Sequence, residues 1–322
     1  MSITLPITPK ENLKRFIKGE HLWMPQYKDN KMFSPSMYVE NVCRGFVMET
    51  DKYTGEFGGP DQFGVEWEFV PTVGGSMVRP GSPKVPDLAE WEKYVTWPDL
   101  SKLDWAGVAE KNKDFLTTDK VLMQMNFTSF FERLISFVDM ENALIAMIDP
   151  DEQEDVHRLF DRLADYYDEL FGYIEKYFHT DLIYFHDDWG SQRAPMFSLD
   201  TVREMLVPYI KRCVDSAHKH GMVFELHSCG KIQDLVPAMI EAGVDMWCGQ
   251  DMNDKLYCAR EYGDYIHIGV APKTFPEGTP EEEQIAEIDR ILDEYPDTIY
   301  IGRHLNPGDA MYNRVVERTL KK

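Results

Sequence analysis

The chain has 322 residues, 43% of them hydrophobic, and a formal net charge of −22 at pH 7. This balance suits a single globular, soluble unit and argues against a DNA or RNA partner, because phosphate binding relies on clustered Lys and Arg. No run approaches the roughly 18 apolar residues needed to cross a membrane, and the opening MSITLPITPKENLKRF lacks the apolar centre of a signal peptide, so a cytoplasmic protein is expected.

Five cysteines, Cys43, Cys213, Cys229, Cys248 and Cys258, are odd in number and scattered, which favours reduced thiols over a disulfide framework. Residues 1–110 read as an irregular extension rich in Trp, Pro and Gly, packed on the rest of one domain spanning 1–322. From Lys120 onward, apolar strand-like runs alternate with helical stretches, the pattern of βα units on a parallel sheet. The expected strands cover 121–127, 182–188, 222–228, 244–250, 265–271 and 298–303. Between them, residues 149–178 carry Val156, Leu159, Phe160, Leu163 and Tyr166 at helical spacing behind an acidic start. Further helices are expected from Ser198, from Asp234 to Ala242, and from Thr279, with Pro280 at the first helical position. Six such units point to a distorted α/β barrel of the TIM type, (β/α)8, completed by the N-terminal third; an open doubly wound sheet is the alternative. No GxGxxG or GxxxxGK[ST] follows any strand, which removes the nucleotide-binding version of that alternative.

In such barrels the chemistry gathers at the C-terminal ends of the strands. The run Met222 to Gly230, MVFELHSCG, places Val223, Glu225, His227 and Cys229 on one strand face, and an imidazole and a thiolate two residues apart can share one zinc ion. Other strands end in His186-Asp187-Asp188-Trp189-Gly190, in Cys248-Gly249-Gln250 and in Arg303-His304. The expected zinc ligands are His227, Cys229 and His304, with Cys248 as a substitute thiolate and Glu225 as a partner deeper in the barrel. Asp187 and Asp188 are the candidate catalytic carboxyls: either could act as general acid, orient a ligand or bind the metal, and alternation lets only one face inward. Trp189, Gln192 and Gln250 are the candidate substrate-binding residues.

The stretches DDWGSQRAPMFSLDTVREMLVPYIKR and HGMVFELHSCGKIQDLVPAMIEAGVD, followed by Gln250, resemble the uroporphyrinogen decarboxylase superfamily and, within it, the corrinoid-dependent methyltransferases. The segments DQFGVEWEF, EWEKYVTWPDL and FFERLISFVDMENALIAMIDPDE resemble the same branch. The resemblance implies a distorted barrel that uses zinc to move a methyl group to or from the cobalt of a partner corrinoid protein. Coenzyme M methyltransferases of this branch hold zinc with His-x-Cys and a further cysteine in the last strand-end loop. Here that loop reads IGRHLNPGD, without cysteine. A neutral ligand in place of a thiolate gives a stronger Lewis acid, suited to polarising a methyl ether oxygen. The resemblance therefore implies transfer from a small methyl donor such as a phenyl methyl ether to a cob(I)amide protein. The alternatives are a methylcobamide:thiol methyltransferase, a decarboxylase, or a metal-free barrel binding a corrinoid or porphyrin. The arginine-bearing substrate segment of true decarboxylases corresponds to HLWMPQYKDNKMFSPSMY, which contains no arginine. A homo-oligomeric assembly remains open.

Overall fold

In a computed structural model describing residues 4–38, 47–72, 75–302 and 309–321, all six expected strands are present and a seventh joins them. The seventh, β1 (Asn30–Phe33), comes from the N-terminal third, which thus supplies part of the barrel itself. The others are β5 (Val121–Asn126), β6 (Leu182–His186), β7 (Val223–Ser228), β8 (Met246–Gly249), β9 (His267–Val270) and β10 (Tyr300–Ile301), while β2 (Gly59–Pro60), β3 (Glu66–Val70) and β4 (Gly75–Val78) form a separate antiparallel sheet. All neighbours in the order β1-β5-β6-β7-β8-β9-β10 are parallel, and a parallel bridge between Gln26 and Ile301 joins the two edges. The result is an α/β barrel of the TIM type, with seven strands in its sheet among the described residues.

The helices in chain order are α1 (Pro9–Phe16), α2 (Trp105–Lys111), α3 (Lys113–Leu116), α4 (Phe130–Val138), α5 (Met140–Ala146), α6 (Gln153–Phe178), α7 (Leu199–Met205), α8 (Val207–Lys219), α9 (Val236–Glu241), α10 (Lys255–Tyr262), α11 (Glu281–Glu294) and α12 (Asp309–Thr319). Ser198 caps α7 by accepting from the Thr201 amide at 3.0 Å, as its hydroxyl predicts. Before α11 the cap position falls on Pro280 rather than Thr279, and Glu281, Glu282 and Glu283 fill the first turn, where the helix dipole favours acids. No helix among the described residues is long and apolar enough to cross a membrane.

Alternation along each strand divides the apolar residues into two layers. Phe224, Leu226, Trp247 and Ile268 pack outward beneath the helices, whereas Met123, Leu182, Tyr184, Val223, Met246 and Tyr300 fill the barrel interior. Leu13 and Phe16 of α1 join that interior cluster as a plug, and Lys10 of the same helix pairs with Asp181 at 3.0 Å. The antiparallel sheet is fastened to α4 by a fully buried ion pair, Arg133 Nη1 to Asp61 Oδ2 at 2.6 Å. Asp61 also accepts from the amides of Phe63 and Val65 and from the indole of Trp67, so both carboxylate oxygens are satisfied.

Candidate metal centre

In the pairing of β6 with β7, His186 lies opposite His227, so the same face of both strands delivers an imidazole to the barrel mouth. The rings stack with centroids 4.9 Å apart and planes within 16°. Two residues beyond each histidine, Asp188 and Cys229 turn to the same side: Cys229 Sγ is 3.6 Å from His227 Nε2, and His186 Nε2 is 3.6 Å from Asp188 Oδ1. One ligand atom from each of these four residues lies within 4.8 Å of the others. Two imidazole nitrogens, a sulfur and a carboxylate oxygen form a donor set that suits zinc.

The two strand ends are locked together. The Cys229 amide donates to Asp188 Oδ1 at 2.6 Å, and the Asp187 amide to the His227 carbonyl at 3.0 Å. Gly230, at φ +91°, passes so close to Gly190 that a Cβ on it would lie 2.3 Å from the Gly190 carbonyl carbon, which demands glycine. Asn253 secures the far side, accepting from the amides of Ile232 and Gln233 and donating to the carbonyls of Gly230 and Gln250.

Around the ligands, Glu132 Oε2 meets His186 Nδ1 at 2.9 Å, leaving Nε2 turned toward the donor cluster. Burial raises the Glu132 carboxyl to about 7. Burial works to lower His186, but Glu132, Cys229 and Asp188 outweigh it and hold that imidazole well above its ordinary 6.5. His227 goes the other way: burial, reinforced by the neighbouring His186, lowers it to about 3, so it is neutral and has a lone pair available for a metal. Burial also raises the Cys229 thiol, which must lose its proton to coordinate. A cavity of about 540 Å³ opens over the cluster, with Met125, Phe127, Cys248, Gln250 and Asp251 in its wall.

The residues expected from the sequence divide accordingly. His227, Cys229 and Asp188 converge, while His304 and Arg303 lie outside the described residues. Asp187 sits behind the site, fully buried, accepting from the amides of Phe131 (3.2 Å) and Glu132 (2.9 Å) and from Trp189 Nε1 (2.8 Å). It therefore caps α4, which follows the neighbouring strand β5, and positions Glu132; burial raises its carboxyl to about 6. Trp189, 1% exposed, faces the core with its indole on Asp187, and Gln192 is exposed in the turn beyond it, so neither lines the cavity. Gln250 does line it, and its Oε1 accepts from the Gly230 amide at 2.9 Å. Glu225 lies deeper, accepting from the Tyr300 hydroxyl, with its carboxyl raised by burial to about 7. Cys248 faces inward from β8 beside the four-residue cluster. Sequence reasoning missed His186 as a member of the donor cluster, Glu132 as its partner and Asn253 as the loop anchor. The first had a signal: aligned at their first residues, LIYFH and VFELH both place histidine fifth.

No curated protein matches the chain. Solved structures similar to it include a sugar phosphate isomerase/epimerase from Parabacteroides distasonis, 8% identical with a TM-score of 0.36 over 67% of this chain and 80% of that one. A 3-keto-D-glucoside 4-epimerase from E. coli is 12% identical, TM-score 0.36, over 66% of this chain and 84% of that one. A xylose isomerase-like TIM barrel protein from Mycobacterium smegmatis is 13% identical, TM-score 0.36, over 70% and 83%. The family model for uroporphyrinogen decarboxylase (URO-D) matches residues 60–304, a span that includes His186, Asp188, His227 and Cys229. The chain belongs to the uroporphyrinogen decarboxylase family.

Proposed function

We propose that the protein is a zinc-dependent methyltransferase that moves a methyl group from a methoxylated aromatic donor to the cobalt(I) of a corrinoid held by a partner protein. The observation that supports this reading is the cluster of His186, Asp188, His227 and Cys229 at the mouth of the barrel, beneath an open cavity. These four residues would hold the metal. When bound, zinc supplies Lewis acidity to the donor's ether oxygen, and a set with one thiolate withdraws more charge from that oxygen than a set with two.

The protein's own groups have separate tasks. Glu132 fixes the orientation of His186 through Nδ1, and Asp187 fixes Glu132 through the start of α4. In the reaction, a carbon–cobalt bond forms with the electron pair of cobalt(I), and the carbon–oxygen bond breaks with its pair left on oxygen. The phenolic product then takes up a proton. That proton comes from solvent, which reaches the open cavity, while Glu132 stays on His186 Nδ1.

The decarboxylase alternative has less support, because the described lining of the cavity contains no Arg or Lys to pair with a substrate's carboxylates and does contain Asp251. The test is methyl transfer to a cob(I)amide protein from a panel of methoxylated aromatics, run beside transfer from methylcobalamin to thiols. Activity in the thiol assay alone removes the O-demethylation reading. A purified protein with less than about half an equivalent of zinc, unchanged in His227→Ala, removes the metal.

A further inference from the structure

A second chamber, of about 580 Å³, lies beside the metal cavity between the β2–β4 sheet and helices α4 and α5. Trp67, Met77 and Val78 form one wall, and Ile135 and Met140 the other. Met77 and Met140 are 51% and 39% exposed, so the chamber leaves uncovered apolar surface that an occupant would bury. At its inner end stand Phe127 and Glu132, the two residues that touch His186 from outside the donor cluster: Phe127 stacks on the imidazole at 4.8 Å and 11°, and Glu132 bonds to Nδ1. Phe127 lines both the chamber and the metal cavity, so the two spaces adjoin at its ring.

The charge of the lining narrows the occupant. The ionisable side chains around the chamber are Glu132, Asp139 and Glu141, all acids, and no described lining residue is basic. Arg79, between two lining residues, is ion-paired with Glu68 and lines an adjoining polar hollow that shares Trp67, Val78 and Asp139 with the chamber. Trp67 is held rigid, its indole N–H donating to Asp61 at 3.0 Å and Asp61 in turn locked to buried Arg133. A fixed indole, apolar walls and an acidic rim suit a flat ring without negative charge and disfavour a ring that carries a carboxylate.

We infer that this chamber seats the aromatic body of the methyl donor, and that the donor is an uncharged methoxyarene rather than a methoxybenzoate. The identity of the ring's transferable group rests on the methyl-transfer reading above; the binding preference does not. Calorimetric titration of the zinc-loaded full chain with 2-methoxyphenol and with 4-hydroxy-3-methoxybenzoate compares two rings that differ by one carboxylate. Binding of 2-methoxyphenol at least about tenfold tighter is expected, with the preference retained after the metal is stripped. Trp67→Ala should weaken 2-methoxyphenol by about tenfold. Because that change could loosen the sheet, Met140→Arg at the exposed start of α5 is the second variant, and it should shift the preference toward the benzoate. Equal or tighter benzoate binding to the unaltered protein overturns the inference, as does binding of neither compound or a preference untouched by Met140→Arg. If 2-methoxyphenol binds selectively but is not demethylated, the chamber stands and the methyl-transfer reading falls. If the benzoate is the better ligand and is demethylated, the reverse holds.

Discussion

His186 and His227 face one another across adjacent parallel strands, their rings stacked 4.9 Å apart, while their nitrogens contribute to a single donor cluster with Asp188 and Cys229. Parallel pairing keeps the two side chains level, so each strand contributes a His-x-Asp or His-x-Cys arm of equal reach.

His186→Ala therefore removes one arm's imidazole without disturbing the other. The variant is expected to lose stoichiometric zinc, as is His227→Ala, read by metal analysis after dialysis. Full zinc content in His186→Ala would leave His186 outside the donor set.

Glu132→Gln keeps the shape of the carboxylate but removes its charge from His186 Nδ1. Zinc affinity should fall about 10- to 100-fold, as measured by competition with a chelator, with the far-UV dichroism unchanged. Glu132→Ala should be at least as severe. An unaltered zinc affinity in both variants would show that the contact at 2.9 Å does not orient the ligand.

The Asp61–Arg133 pair is closed to solvent on both sides, and its loss leaves the buried guanidinium charge without its carboxylate. Asp61→Asn should cost about 3–5 kcal/mol in denaturant unfolding. The double variant Asp61→Asn/Arg133→Met should recover part of that loss, since no uncompensated charge remains. A single variant within about 0.5 kcal/mol of the unaltered protein would count against the pair as an anchor.

On the barrel's far side, Asp289 of α11 accepts from Arg314 at 2.8 and 2.9 Å and from Arg318 at 2.7 Å, both on α12. These hydrogen bonds hold its carboxyl below the ordinary 3.8. A depressed folded-state value means that the contribution is complete above 3.8 and disappears as pH falls through the lower, folded value. Asp289→Asn should thus lower the melting temperature by about 2 °C at neutral pH, and the gap should close as pH falls below the ordinary carboxylate range. A gap that stays constant with pH would assign the effect to packing.

Much of this arrangement was legible in the sequence because it is local. The six later strands announce themselves by apolar runs, and His227 with Cys229 by a spacing of two on one strand. The first strand was hidden: NKMF is four residues long, begins with two polar side chains and derives its identity from pairing with β5. His186 was hidden for a related reason, since its partnership with His227 depends on register between strands 41 residues apart, the difference of their positions. Alternation lets one of Asp187 and Asp188 face inward; the phase is set by His186, and this turns Asp187 toward the amides of α4. Which side chain caps a helix from another strand is a tertiary fact that no local window contains.

The bridge between Gln26 and Ile301 has a consequence for biosynthesis. The segment around it is also tied to the last helix: Gln26 Nε2 donates to the Tyr312 carbonyl, the Met24 amide to Thr319 Oγ1 and the Lys321 amide to the Leu22 carbonyl. The ring is thus sealed by partners about 275 residues apart in sequence, and the ribosome delivers one of them long before the other. Throughout that interval the nascent barrel carries an unpaired border open to mispairing, so translation pauses ahead of the final strand are the moments when chaperone protection matters most.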